Sequence, residues 1–99
     1  MGITEEQWLA IKQSYPIGYK FSAKVCMTKL FGIFVTIERS HPGCLGLIEI
    51  VRSSRFRDLT RDLPFDYSKR PQVGTEIYCI VCSYRDRNKQ LGLGWLNSI

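Results

Sequence analysis

Long apolar runs are missing from this chain. The longest, "IYCIVC" at 77–82, is far short of the roughly twenty residues a membrane-spanning helix needs. Histidine occurs once, as His41 in "RSHPG", a turn-like stretch with no cysteine or carboxylate spaced to partner it. A phosphate-binding glycine loop, a zinc-hydrolase signature and a strand-turn-helix nucleophile elbow are also lacking. Carboxylates are sparse, nine Asp and Glu against fourteen Lys and Arg, and most have an arginine close by in sequence. These absences argue against an enzyme, and they imply no cofactor. The start, "MGITEEQW", is acidic and lacks the charged-then-apolar layout of a secretory signal. Glu6 stands where a myristoylation pattern requires Ser or Thr. The expectation is a cytoplasmic protein with no membrane association.

Cysteine is present but not in a framework. Without a secretion signal, Cys26, Cys44, Cys79 and Cys82 are expected to be free thiols, packed like small hydrophobes. The "CIVC" spacing resembles half of a zinc site. In an extended strand, however, Cys79 and Cys82 point to opposite faces, and no second close pair exists. No metal is expected.

What is present is a core, a basic balance and a switch of period. With 44% hydrophobic residues, the 99-residue chain is long enough for a small core. The net charge of +5 is concentrated in two places. Segment 52–70 holds Arg52, Arg55, Arg57, Arg61, Lys69 and Arg70 against Asp58, Asp62 and Asp66. Segment 85–89 adds Arg85, Arg87 and Lys89 against Asp86. Two cationic loops on a small domain point to a polyanion, nucleic acid first.

"TEEQWLAIKQSY" (4–15) has helical spacing on Trp8, Ile11 and Tyr15, with Thr4 and Gln7 placed for a capping box. Pro16 stops it. From residue 19 the period becomes two, with Tyr19, Phe21, Ala23, Val25 and Met27 on one side and Lys20, Ser22, Lys24 and Cys26 on the other. Further strands are expected at 31–37, 44–51, 74–84 and 91–96. A long loop spans 52–70, with a helical turn near "FRDLT". Five strands and almost no helix predict a small closed β-barrel of all-β class, covering 16–99, with residues 1–15 as a helical extension. Within "FGIFVTI", Ile33, Val35 and Ile37 share one face, so Phe34 is turned to the other. Lys20 and Lys24, on the polar side of the neighbouring strand, are expected beside it. Of the remaining aromatics, Tyr19 is expected at the core or barrel end, Tyr78 or Tyr84 at the site's edge, and Trp8 as the helix anchor.

The succession "YPIGYKFSAKV", "FGIFVTI", "GLIEI", a basic loop and "VGTEIYCIVCSYRDRNKQLGLG" resembles the S-one RNA-binding domain over roughly residues 16–94. The resemblance implies a five-stranded OB-fold barrel that carries single-stranded RNA across one face. It places the family's two aromatics at Phe31 and Phe34, and a cation at Lys89 or Gln90. At two positions the chain departs from the family: Glu49 stands where histidine is common, and Arg85 where aspartate is common. Single-stranded RNA binding would then use Phe31, Phe34, Lys20, Lys24, Glu49, Arg52, Arg55, Arg85, Arg87 and Lys89. The alternative is a protein-interaction module that kept the barrel and lost the RNA role; besides single-stranded RNA, the partner classes considered are a protein and a larger ribonucleoprotein assembly.

Overall fold

A computed structural model describes residues 2–37, 43, 45–51 and 53–97. The predicted helix forms as α1, Glu5–Ser14. Thr4 Oγ1 accepts from the Gln7 amide at 3.1 Å, and the Thr4 amide donates to Gln7 Oε1 at 2.8 Å. This reciprocal cap satisfies two of the donors a helix start leaves unpaired. Among the described residues six strands follow: β1 Lys20–Lys29, β2 Gly32–Thr36, β3 Gly46–Glu49, β4 Thr60–Arg61, β5 Glu76–Arg85 and β6 Gln90–Leu96. The order β3-β2-β1-β5-β6 closes on itself through a parallel β3–β6 pairing, giving a five-stranded barrel, and the two-residue β4 pairs with β6. The helical turn expected near "FRDLT" is a single turn closed by the Leu59 amide on the Phe56 carbonyl. A short 3₁₀ helix lies further on, at Tyr67–Lys69.

Ala23, Val25, Ile33, Val35, Ile37, Ile77, Cys79, Val81 and Leu91 fill the barrel. β5 reads as nearly all apolar because both of its faces are covered. Cys79 and Val81 point inward, while Ile80 and Cys82 lie under Phe56 and beside Leu96 on the outside. Phe56 holds a left-handed φ of 61°, a conformation that costs a side-chain-bearing residue about 1–2 kcal/mol. The apolar contacts of its ring offset that. Gly32 is demanded by packing, since a Cβ there would collide with the Ile48 carbonyl of β3.

Two bulges correct the sequence reading. One, between Val25 and Met27, reverses the parity of β1, so Met27 is turned outward rather than into the core. The other, between Val81 and Ser83, turns Tyr84 inward against Leu91. Its hydroxyl donates to the Tyr15 and Lys12 carbonyls at 2.8 and 3.2 Å, so Tyr84 holds the helix and not the site's edge. Tyr19 is exposed at the barrel end, against Phe21 and Tyr15. Cys79 and Cys82 are free and buried, as expected, and burial pushes the Cys79 thiol up to about 12. Cys26 differs: it is disulfide-bonded. The expectation of a free thiol rested on the missing secretion signal, which does not say which sulfurs the fold brings together. Cys44, His41 and Arg52 lie outside the described residues.

Helix α1 is pinned to the barrel by Trp8 and Ile11, both buried. Trp8 Nε1 donates to Asp86 in the β5–β6 turn at 2.8 Å, and Lys12 Nζ meets the same carboxylate at 2.7 Å. The hydrogen bonds from Lys12, then Trp8, hold the Asp86 carboxyl below its ordinary 3.8. A folded-state value below the unfolded one means stability present above the unfolded value and lost as pH falls through the folded one. Acid titration followed by tryptophan fluorescence should therefore show a change at Trp8 below pH 3.8, absent in Asp86→Asn. Identical acid profiles would contradict this contact.

Candidate nucleic-acid interface

Strand pairing builds the outer face. Met27 of β1 lies across from Phe34 of β2, Phe34 across from Leu47 of β3, Leu47 beside Gly92 of β6, and Gly92 across from Ser83 of β5. Partners in register project to the same side of a sheet, so these five form one transverse row on the barrel's exterior. Phe34 is half-buried within it, and Phe31 is 48% exposed in the turn that leads into β2. Their rings meet edge to face, with centroids 5.9 Å apart at 87°. Each ring braces the other, and aromatic surface stays accessible on Phe31 and in part on Phe34. Bases stack on such faces with little regard to sequence, typically for about 1–3 kcal/mol each.

The cations around this row differ from those the sequence suggested. Lys24 is across from Thr36, on the same exterior as Phe34 and one step along. Lys29, across from Gly32, joins it, although parity without a bulge would have put it on the other side. Lys20 pairs with Ile80, far along β1 from Phe34. Arg55 and Arg57 are exposed on the turn that Phe56 anchors. Arg87 is exposed at the tip of the β5–β6 turn, while Lys89 ion-pairs with Glu5 of the helix at 3.1 Å. Arg61 lies over the Trp95 ring at 4.4 Å. Arg70, counted among the basic loop residues, is 3% exposed and structural.

Glu49 and Arg85, the two departures from the family pattern, are partners. Arg85 on β5 reaches Glu49 on β3 across β6, the strand between them, and donates to its carboxylate. A bare carboxylate beside a phosphate path repels it, whereas a carboxylate already paired with a guanidinium presents little net charge. Next to the pair, Gly92 and Gly94 leave a shallow cavity of about 70 Å³, lined also by Leu47, Ser83 and Trp95. A Cβ at Gly92 would meet Ser83 Oγ, the rotatable end of that side chain. Tyr78, across from Ser22, adds an exposed aromatic further along the same exterior.

Two features escaped the sequence reading. Met27 and Lys29 join the face only because of the bulge at Cys26, and one extra residue in a strand leaves no mark on composition. Phe65, in the loop before the 3₁₀ helix, is 77% exposed. An apolar ring flanked by Pro64 and Asp66 in a basic loop was a signal available in the sequence. Among the described residues, no group of three or more His, Cys, Asp or Glu could hold a metal ion. No described helix is long and apolar enough to cross a membrane.

No family model matches the chain, and no curated protein does. Solved structures do. GSP13 from Bacillus subtilis superposes with a TM-score of 0.59 at 20% identity, over 82% of this chain and 55% of that one. The a/eIF2alpha–aDim2p–rRNA complex from Pyrococcus horikoshii contains a chain matching with a TM-score of 0.59 at 17% identity, over 83% of this chain and 45% of that one. A multidomain protein with nucleic acid binding domains from Streptococcus pneumoniae matches with a TM-score of 0.54 at 16% identity, over 94% of this chain and 28% of that one. This chain therefore spans about half the length of the first two, 55% and 45%. Strand order, closure through a parallel pair and these superpositions agree on the fold: the chain is an OB-type closed five-stranded β-barrel carrying an N-terminal helix.

Proposed function

We propose that the chain binds single-stranded RNA across the exterior of β1, β2 and β3. The observation that carries this reading is the edge-to-face pair of Phe31, exposed, and Phe34, half-buried, on the sheet exterior that also bears Lys24 and Lys29. In this reading one base stacks on Phe34 beside the exposed Met27, and its neighbour abuts Phe31. Lys24 and Lys29 follow the backbone, and the exposed Arg55, Arg57 and Arg87 form the rim. The Glu49–Arg85 pair supports the reading because it removes the repulsion an isolated Glu49 would exert. The rRNA named in the complex from Pyrococcus horikoshii, whose matching chain has the same fold, is consistent with it.

The test is anisotropy of a fluorescein-labelled single-stranded RNA of mixed sequence, titrated with the protein at several salt concentrations. Micromolar or tighter binding is expected at about 50 mM salt. Log affinity should fall linearly with log salt at a slope of roughly −2 to −3, the value for about three or four neutralised phosphates on a single strand. No binding at that low salt would overturn the proposal.

A further inference from the structure

Arg70 is the only arginine among the described residues that is buried, and its guanidinium is spent entirely on backbone. Nε donates to the Pro64 carbonyl at 2.7 Å, Nη1 to Lys29 at 2.6 Å, and Nη2 to Leu30 at 3.2 Å and Phe65 at 3.5 Å. The Tyr67 ring covers it, centroid 4.4 Å from Cζ. A buried charge is tolerated only when its donors are matched, and here the acceptors come from two separate stretches of chain. One is the β1–β2 turn, Lys29 and Leu30; the other is the loop at Pro64 and Phe65. A single nitrogen bridges the Leu30 and Phe65 carbonyls, so the two stretches lie side by side.

The consequence is the position of Phe65. It is 77% exposed, on backbone clamped to the turn that presents Leu30 and Phe31. Leaving a phenylalanine so exposed forgoes the stabilisation its burial would bring, and a backbone fixed by Arg70 is not one that drifted there. The surroundings are cationic. Lys29 is on the adjoining strand end and Lys69 on the 3₁₀ helix, within the segment 52–70 that carries six basic residues against three acidic ones. The carboxylate next in sequence, Asp66, accepts from the Ser68 amide and hydroxyl at 2.9 and 2.7 Å. These hydrogen bonds, the hydroxyl's first, hold its carboxyl below the ordinary carboxylate range.

We infer that Phe65 is a further stacking position, extending the nucleic-acid track from Phe34 and Phe31 across the Arg70 clamp by one nucleotide. This rests on the proposed RNA binding and goes beyond it by assigning a residue, a direction and a longer footprint. Phe65 receives a base; Arg70 is a positioning residue that sets where the ring stands.

The experiment measures affinity for fluorescein-labelled oligouridylates of stepwise increasing length, with wild-type protein, Phe65→Ala, Phe65→Trp and Phe34→Ala. Position 65 is exposed, so its variants are expected to fold, which thermal unfolding verifies. The wild-type affinity should rise with length to a plateau. Phe65→Ala should match wild type on the shortest oligomers, reach its plateau one nucleotide earlier and end about tenfold weaker. Phe65→Trp should keep the full plateau. If Phe65→Ala follows the wild-type curve at every length while Phe34→Ala is weakened, the extension is overturned, the patch is left to a protein partner, and RNA binding stands. If wild type binds at no length, RNA binding itself fails, and the extension with it.

Discussion

Phe34→Ala is expected to weaken binding of single-stranded RNA by about ten- to a hundredfold, the range that loss of one base-stacking platform produces. The ring is the centre of the exterior row, with Met27 on one side, Leu47 on the other and the Phe31 edge beside it. Removing it takes away the stacking surface and leaves Phe31 without its brace. Because Phe34 is on the outside of the barrel and only half-buried, its loss leaves no void among Ile33, Val35 and Val25, which form the interior. The melting temperature should fall by a few degrees at most. A variant that binds with wild-type affinity would overturn the stacking role, and a lowered melting temperature alongside it would show that the ring serves packing alone.

The largest effect on stability is expected at Trp8. Truncating a fully buried tryptophan typically costs about 3–5 kcal/mol, and Trp8→Ala also removes the indole donor to Asp86 and the edge-to-face contact with Tyr84 at 6.2 Å. For a domain of this size, that lowers the melting temperature by roughly 15 °C or more. Trp8→Phe should recover part of the loss, since it restores apolar volume but not the hydrogen bond. Urea unfolding followed by far-ultraviolet circular dichroism measures both. A loss below about 1 kcal/mol, the scale of an exposed substitution, would mean that helix α1 adds little to the barrel it covers.

Much of this is legible in the sequence, because local chemistry decides it. Thr4 and Gln7 announce the cap that forms. Alternation through Ile33, Val35 and Ile37 puts Phe34 outside, and it is outside. What alternation cannot show is a break in itself. The bulges near Cys26 and Cys82 each add one residue, and from there Met27 and Tyr84 change sides. Contacts between distant stretches are equally silent. Glu49 and Arg85 look like two separate losses until β6 is seen to lie between their strands. Arg70 looks like one more loop cation until its four carbonyl acceptors are counted together. The two-residue β4 escapes for a simpler reason: Thr60 and Arg61 are too short a run to show any period.

Amide chemical-shift mapping of the protein, titrated with a single-stranded RNA oligomer at low salt, locates the RNA on the barrel residue by residue. RNA lying across this face should move most the amides of Lys24, Met27, Lys29, Phe31, Phe34 and Leu47, with those of α1 nearly still. Changes confined to α1 and the β5–β6 turn, or no changes at saturating RNA, would contradict this placement.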